Sequence, residues 1–333
     1  MIHVEKLSKT FHVHKKEPGF LGSVKALFRR ELVAKEAVRG ASFRVEEGEI
    51  VGLVGANGAG KTTLVKMLAG IIYPTSGDAA VLGFRPWERD DRLRRQIALI
   101  MGQKAQLWWD LPAADCFLLL KEVYEIPDAR YRENLDYLAT VLEVKDLLQI
   151  QIRRLSLGER MKMELIAALL HSPRVVYLDE PTIGLDLTAQ RAIRDFILKY
   201  REEHRPAMIL TSHYMEDIER LCRRILILRE GELVFDGPLD KVVETYAEHK
   251  VVTAHLHKTP EPVRATPELA RLGQVETAND MMISLRVPRA KVAEAAAELL
   301  RRYPVADIAI EEVDVGTIIE RLQRARGDPA ASP

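Results

Sequence analysis

Nine residues from Gly55 to Thr63 have the types and spacing needed to hold phosphate groups. They read Gly-Ala-Asn-Gly-Ala-Gly-Lys-Thr-Thr, which matches the pattern G-x-x-x-x-G-K-[ST]. Glycines let backbone N–H groups approach phosphate oxygens closely, and the N-terminus of a following helix attracts anions. The pattern therefore predicts a nucleotide site. Its candidate ligands are Gly55, Asn57, Gly58, Gly60, Lys61, Thr62 and Thr63.

The residues on either side of this loop predict the elements that position it. Glu49 to Val54 is a short apolar run suited to a buried strand, and Leu64 to Ala69 suits a helix. In a strand–loop–helix unit of this kind, Lys61 reaches the β- and γ-phosphates and the Thr62 hydroxyl binds Mg²⁺. We therefore expect a nucleotide and Mg²⁺ to bind here.

A pair of acidic residues follows a second apolar strand. Arg174 to Leu178 predicts a buried strand that delivers Asp179 and Glu180 at its carboxyl end, where α/β sheets place their sites. Asp179 is then a candidate Mg²⁺ ligand, and Glu180 a candidate general base for an attacking water. Two acids after a strand can also mark the start of a helix. The phosphate loop in the same chain favours the catalytic interpretation.

The stretch Leu-Ser-Leu-Gly-Glu-Arg at 155–160 completes a recognisable set of motifs. With it, the chain resembles the ATP-binding subunit of an ABC transporter, whose signature is Leu-Ser-Gly-Gly-Gln. The resemblance implies that Ser156 and Gly158 contact the γ-phosphate of ATP bound by an opposite subunit. Leu157 and Glu159 depart from the family pattern. Glu159 is instead suited to capping the helix that follows, and an ordinary capped helix is the better interpretation of this segment taken alone.

The resemblance assigns roles to four further residues. Phe11 stands where the family stacks an aromatic ring on adenine, although a core aromatic is an equally good interpretation. Gln103 stands where a glutamine links Mg²⁺ to the transmembrane partner, and Asp186 lies in the loop that crosses the dimer. His213 matches the switch histidine at the γ-phosphate. The resemblance thus implies Glu180, His213 and Gln103 as catalytic residues, and Thr62, Gln103 and Asp179 as Mg²⁺ ligands.

The order of predicted elements indicates an α/β fold, a P-loop NTPase core of ABC type over residues 1–246, with Met1 to Lys9 as an edge strand. A helical subdomain is expected at about 112–172. Residues 14–35 predict a basic amphipathic insertion suited to a permease or an anionic membrane surface, or to packing on its own domain. Residues 247–333 predict a small C-terminal α+β domain of β-α-β-β-α-β order, with an accessory or regulatory role.

Composition narrows the possible partners. Among 333 residues, Lys+Arg and Asp+Glu both number 49. The chain therefore has no net positive charge that would favour binding to nucleic acid. Two cysteines suggest neither a disulfide framework nor a metal motif. No apolar run is long enough to span a bilayer, so we expect any membrane span to come from a separate permease. The expected location is the cytoplasmic face of the cell membrane.

The resemblance implies an ATPase that acts as a head-to-tail homodimer, or beside a paralogous ATPase, and powers transport. A combination of four stretches, none decisive alone, resembles the poorly characterised bacterial exporter subgroup that includes viologen-type export ATPases. The stretches are Met101-Gly102-Gln103-Lys104, Trp108-Trp109-Asp110-Leu111, the signature continuing into Met161-Lys162, and Thr182-Ile183-Gly184-Leu185-Asp186. Two alternatives remain. One is a soluble ABC ATPase outside transport, and the other is a nucleotide-sensing scaffold with little turnover.

Overall fold

The computed structural model describes residues 1–14, 32–102, 104–246, 249–257 and 266–312. It divides into two compact units, Met1–Gly237 and Pro238–Pro333. Three sequence predictions lie wholly or partly outside the described residues: most of the amphipathic insertion, Gln103, and residues 313–333 of the predicted C-terminal domain. The two ends of the predicted insertion, His14 and residues 32–35, belong to strands instead.

The first sheet of the N-terminal unit is antiparallel, with strand order β2-β1-β4. Its strands are β1 (Ile2–His14), β2 (Leu32–Val45) and β4 (Ser76–Val81). Because β1 pairs with a strand on each side, the prediction of an edge strand at Met1 to Lys9 is wrong. Alternating apolar residues show which face of a strand is buried, but not whether its edges are paired.

The second sheet has six strands in the order β5-β6-β7-β3-β8-β9. Its strands are β3 (Ile50–Val54), β5 (Ile97–Met101), β6 (Val175–Asp179), β7 (Ala207–Thr211), β8 (Arg224–Arg229) and β9 (Glu232–Pro238). From β5 to β8 neighbouring strands are parallel. Every residue of β3, β6 and β7 is buried, as expected for parallel strands covered on both faces. Their carboxyl ends therefore meet at one edge of the sheet.

Helices follow these strands and cover the sheet. They are α1 (Lys61–Leu68), α2 (Asp91–Arg94), α3 (Ala113–Val123), α4 (Asp128–Val141), α5 (Leu157–Leu169), α6 (Leu187–His204) and α7 (Met215–Leu221). The helices α3, α4 and α5 fall within the predicted helical region at 112–172, and α5 packs against α3, α4 and β5. The helix α6 packs against α7.

One buried apolar cluster joins the two sheets through α1. It includes Val4 and Phe43 from the first sheet, Leu53 and Tyr177 from the second, and Leu64 from α1. This core holds the phosphate loop between the two sheets. Within the residues that the model describes, no helix has the length and apolar composition required to cross a membrane.

The C-terminal unit contains an antiparallel sheet with strand order β11-β12-β10-β13. Its elements are α8 (Leu239–Tyr246), β10 (His249–Leu256), α9 (Pro267–Leu272), β11 (Gln274–Ala278), β12 (Met282–Pro288), α10 (Val292–Arg302) and β13 (Val305–Glu312). From β10 onward the order is the predicted β-α-β-β-α-β, and Val252, Leu285 and Leu299 lie in a core of its own. The unit boundary precedes α8, ahead of the predicted boundary near Tyr246.

Candidate nucleotide-binding and hydrolysis site

The phosphate loop joins β3 to α1 and is packed tightly against its neighbours. A Cβ atom on Gly60 would lie 2.1 Å from the Ala37 carbonyl oxygen of β2, and Gly60 has a φ angle of +110°. A Cβ atom on Gly55 would lie 2.4 Å from the Leu228 carbonyl oxygen of β8. Because a side chain at either position would collide with backbone, the glycines are required by the fold as well as by phosphate binding.

Lys61, the first residue of α1, is held against the loop that precedes it. Its ammonium donates hydrogen bonds to the carbonyl oxygens of Gly55 at 2.6 Å and Ala56 at 3.2 Å. Burial lowers the pKa of Lys61, and the nearby carboxylates of Glu180 and Asp179 oppose that shift. The cation thus lies between the loop and the two acids, in the position needed to attract phosphate oxygens.

The carboxylate of Asp179, at the carboxyl end of β6, is bonded to two threonine hydroxyls. Thr62 Oγ1 lies 3.0 Å from Oδ2, and Thr211 Oγ1 donates to Oδ1 at 2.6 Å. Hydroxyl and carboxylate oxygens are the hard donors that Mg²⁺ prefers, and Mg²⁺ in nucleotide sites uses few protein ligands beside the phosphates. The donor set formed by Thr62 and Asp179 therefore fits Mg²⁺.

Glu180 has an unusual backbone conformation, with a φ angle of +59°. A residue other than glycine in this region costs on the order of 1–3 kcal/mol and is characteristic of functional sites. Two features hold it there. The Glu180 N–H bonds to the Thr211 carbonyl at 3.0 Å and to the Thr211 hydroxyl at 3.2 Å. Gly102 leaves room for the Glu180 carbonyl, which would lie 1.9 Å from a Cβ atom on that glycine.

The side chains of Glu180 and His213 are in direct contact. His213 Nε2 lies 2.7 Å from Glu180 Oε1, and the two side chains are 36% and 12% exposed respectively. An ionised carboxylate only accepts hydrogen bonds, so in this pair the imidazole N–H donates. The contact joins the residue after β6 to a residue just beyond β7.

A cavity of about 110 Å³ adjoins these residues. It is lined by Thr62, Lys66, Met101, Lys104, Asp179 and Glu180. Two lysines and the Thr62 hydroxyl therefore face the same space as the two carboxylates. A space of this kind suits the terminal phosphates of a nucleotide and an attacking water beside Glu180.

The signature segment forms the start of α5. The Ser156 hydroxyl accepts a bond from the Glu159 N–H at 3.3 Å, and Glu159 Oε2 accepts bonds from the N–H and hydroxyl of Ser156, both at 2.8 Å. The capping role considered for Glu159 is therefore confirmed. These bonds from Ser156 lower the pKa of Glu159, which keeps its carboxyl group ionised near neutral pH.

Asp186 begins α6 beside the signature helix. Its side chain caps α6 by accepting a bond from the Ala189 N–H at 2.8 Å. A Cβ atom on Gly158 would lie 3.0 Å from the Ala189 Cβ, so the glycine allows the two helix starts to approach closely. Ser156, Gly158 and Asp186 thus form a second group, with Ser156 and Asp186 exposed to solvent.

The remaining predicted residues have less informative surroundings. Asn57 is exposed on the phosphate loop and Thr63 is half-buried in α1. Phe11 is 36% exposed, and the Lys9 ammonium lies 5.1 Å from the centre of its ring. Gln103 is outside the described residues.

Sequence reasoning missed two residues that shape the site. Thr211 bonds to both Asp179 and Glu180, and Gly102 accommodates the Glu180 carbonyl. One signal for Thr211 is its position: a polar residue at the end of a fully apolar strand, two residues before His213. For Gly102 the sequence contains no comparable signal.

The fold and this site define a P-loop nucleotide-binding protein, and comparison with known proteins identifies the family. Residues 38–183 match the model of the ABC transporter family, and residues 248–311 match the C-terminal domain of EvrA-like ABC transporters. The chain is 30% identical to the ABC transporter ATP-binding protein NatA of Bacillus subtilis, over 63% of this chain and 85% of NatA. It is also 30% identical to the Nod factor export ATP-binding protein I of Burkholderia thailandensis, over 71% and 76% of the two chains.

Solved structures agree with this assignment. An ATP-binding subunit of an ABC transporter is 26% identical, with a TM-score of 0.61 over 73% of this chain and 92% of that one. A dimeric ATP-binding cassette bound to ADP and Pi, 21% identical with a TM-score of 0.59, has the same fold. The chain belongs to the family of ABC transporter ATP-binding proteins. It is an ATPase subunit of the kind that powers transport.

Proposed function

We propose that this chain hydrolyses Mg²⁺-bound ATP in a head-to-tail dimer and thereby powers export through a separate membrane permease. The observation that carries the catalytic part is the Glu180–His213 contact beside Lys61, Thr62 and Asp179. Of these residues, Glu180, Thr62 and Asp179 line one cavity, and His213 contacts Glu180 beside it.

Binding begins with the phosphate loop. Backbone N–H groups of the loop and the N-terminus of α1 receive the phosphates, while Lys61 exchanges its bonds to Gly55 and Ala56 for bonds to phosphate oxygens. Thr62 and Asp179 are the residues that would hold Mg²⁺, which when bound neutralises charge on the phosphates. Phe11 is the proposed contact for the adenine ring, and Asn57 and Thr63 complete the loop.

Hydrolysis requires a water oriented toward the γ-phosphate. Glu180, whose side chain is 12% exposed, accepts a proton from that water as the water oxygen attacks the γ-phosphorus in line and the bond to the ADP oxygen breaks. His213 holds the Glu180 carboxylate through its N–H and can turn the same group toward a γ-phosphate oxygen. Both residues follow adjacent parallel strands, so the sheet brings them to the same edge.

The second ATP-binding surface comes from another subunit. Ser156, Gly158 and Asp186 lie together at two exposed helix starts, as expected for a surface that covers ATP bound by the partner. The proposed partner is a second copy of the chain or a paralogous ATPase. ATP then favours the closed dimer, and hydrolysis favours the open one.

Export through a permease is supported by the relative whose name states Nod factor export. Placement in the viologen-type exporter subgroup, location at the inner face of the cell membrane, and the Gln103 link to the permease remain parts of this proposal. The C-terminal unit, matched by the EvrA-like C-terminal model, is proposed to be an accessory domain.

Purification of the chain from its native membranes, followed by identification of bound chains, tests the transport part. We expect a polytopic membrane protein in equimolar amount, and ATPase activity that changes when it is present. Recovery of ribosomes or no partner, with full ATPase activity, would favour the ATPase outside transport. ATP binding without turnover, even with the permease present, would favour the scaffold.

A further inference from the structure

A buried polar network lies behind the site and takes no part in the chemistry described above. At its centre Asp217 of α7, fully buried, pairs with Arg194 of α6, which is 1% exposed. Arg194 Nε lies 2.6 Å from Asp217 Oδ1. A buried ion pair is costly to desolvate and is favourable only when its remaining atoms are also bonded. The groups bonded to the remaining atoms of Arg194 and Asp217 therefore indicate which parts of the protein this ion pair holds in place.

The second oxygen of Asp217 accepts bonds from two hydroxyls on different loops. Thr182 Oγ1 donates to Asp217 Oδ2, and Ser212 Oγ donates to the same oxygen at 2.5 Å. Thr182 stands two residues after Glu180, and Ser212 immediately precedes His213. One carboxylate oxygen thus joins the loop that carries Glu180 to the loop that carries His213.

The arginine side of the network reaches a third loop. Arg194 donates to Gln190 Oε1 at 3.0 Å, and Gln190 Nε2 donates to the Leu185 carbonyl at 3.2 Å. Leu185 immediately precedes Asp186, the cap of α6. The network therefore connects the Glu180, Asp186 and His213 loops through residues that are themselves almost wholly buried.

We propose that Asp217 is a positioning residue that fixes the Glu180 loop against the His213 loop, and that Arg194 and Gln190 extend this restraint to the Asp186 loop. A shift of Asp186 at a dimer interface is then transmitted to the Glu180–His213 pair. This inference rests on the proposed roles of Glu180 and His213. It predicts that the network controls the rate of hydrolysis and not the affinity for ATP.

The sharpest test removes a single hydroxyl and leaves the buried ion pair intact. Thr182→Val is nearly isosteric, and we expect it to lower kcat at least tenfold while the KM for ATP changes less than twofold. Thr182→Ser restores the donor and should recover most of kcat. Asp217→Asn should lower kcat further, but it removes the buried counter-charge of Arg194, leaves only the half-exposed Glu216 at 2.6 Å, and can fail to fold. Thr182→Val and Ser212→Ala therefore carry the test.

A matched control lies on the same two helices. Arg220 of α7 and Asp195 of α6 form an exposed ion pair at 2.8 Å, and Asp195→Asn should leave kcat unchanged. A folded Thr182→Val protein with wild-type kcat would overturn the proposal, as would a loss that Thr182→Ser fails to recover. Glu180→Gln is measured in parallel to separate the proposed catalytic role of Glu180 from the positioning role of the network. Normal turnover of Glu180→Gln would contradict only the role of Glu180. Whatever that result, the kcat of Thr182→Val decides whether the network positions the loops.

Discussion

His213 Nε2 lies 2.7 Å from Glu180 Oε1, and this contact joins the ends of two adjacent parallel strands. The Glu180 side chain is thereby held at the edge of the cavity that also contains the Thr62 hydroxyl and Asp179. A base that is already oriented needs less reorganisation when ATP binds. If Glu180 is the base that we propose, small displacements of this pair should lower the rate of hydrolysis.

Loss of the imidazole should slow hydrolysis without preventing binding. We expect His213→Ala to lower kcat about 100-fold, because general acid–base groups contribute on this scale. His213→Gln retains an N–H donor at similar reach and should keep more activity than the alanine variant. Steady-state ATPase assays with nucleotide-binding titrations check this. Equal kcat for His213→Ala and the wild type would exclude the role, and His12→Ala, in an exposed part of β1, serves as the control.

The space left by Gly102 should be required for catalysis. A methyl group there would displace the Glu180 carbonyl, since the added Cβ would lie 1.9 Å from that oxygen. We expect Gly102→Ala to lower kcat at least tenfold with little change in KM. Gly40→Ala is the control for backbone strain without a collision: its φ angle of +58° disfavours alanine, but a Cβ atom there meets nothing within 4 Å. Similar kcat values for the two variants would show that the Glu180 backbone tolerates displacement.

The departure at Glu159 should weaken closure of the dimer. Hydrogen bonds from Ser156 lower the pKa of Glu159, so its negative charge stands beside the signature serine. Glu159→Gln keeps the capping geometry but removes that charge, and two charges a few ångströms apart at a surface interact by about 1 kcal/mol or more. We therefore expect the ATP concentration for half-maximal dimerisation to fall several-fold.

Light scattering of Glu159→Gln over a series of ATP concentrations measures this effect. Because the carboxyl is already ionised well below neutrality, the difference from wild type should stay constant between pH 6 and 8. Glu88→Gln is the control, because Glu88 is an exposed glutamate far from Glu159 in the sequence. Unchanged or weaker dimerisation of Glu159→Gln would contradict the charge effect.

His171 should make stability depend on pH. Burial lowers its pKa to about 4, its ring stacks on Tyr124 at 4.0 Å, and its buried Nδ1 has no hydrogen-bond partner among the described residues. The unfolded chain, with a histidine pKa near 6.5, binds the proton more readily. The contribution of neutral His171 to the free energy of unfolding is therefore complete above about pH 6.5. It is lost as the pH falls from there toward 4, at up to about 1.4 kcal/mol per pH unit.

Urea unfolding at pH 7, 6 and 5 checks this prediction. His171→Phe preserves the stack and should reduce the loss of unfolding free energy between pH 7 and 5. At pH 7 the variant should be less stable by about 1 kcal/mol, because the bond between Nε2 and the Ile97 carbonyl is lost. An unchanged pH dependence would show that other groups cause it.

The parts of the site that follow from local pattern were predictable from the sequence. The phosphate loop contains its own strand–glycine–helix signal, and Asp179, Glu180 and His213 each follow a strand whose carboxyl end belongs at a site. Periodicity likewise predicted the strand and helix order of the C-terminal unit, and the structural neighbours support the ABC-type core.

The parts that depend on which strands are neighbours were not predictable. Thr211 reaches Asp179 because β6 and β7 pair in register, and Gly102 reaches Glu180 because β5 lies on the other side of β6. The same limit explains the wrong prediction of an edge strand at β1. Pairing on both edges of a strand does not change its alternation of apolar and polar residues. The Arg194–Asp217 pair joins the consecutive helices α6 and α7 across β7, and in the sequence a buried arginine on an amphipathic helix resembles an exposed one.

The most direct test of the account is the ATPase activity and assembly of Glu180→Gln. The substitution keeps the size of the side chain and one acceptor oxygen for the His213 N–H, but removes the base. We predict ATP binding within a few-fold of wild type, a kcat lower by at least 100-fold, and an ATP-dependent dimer that persists long enough to isolate. A Glu180→Gln protein that hydrolyses ATP within a few-fold of the wild-type rate would contradict the central claim.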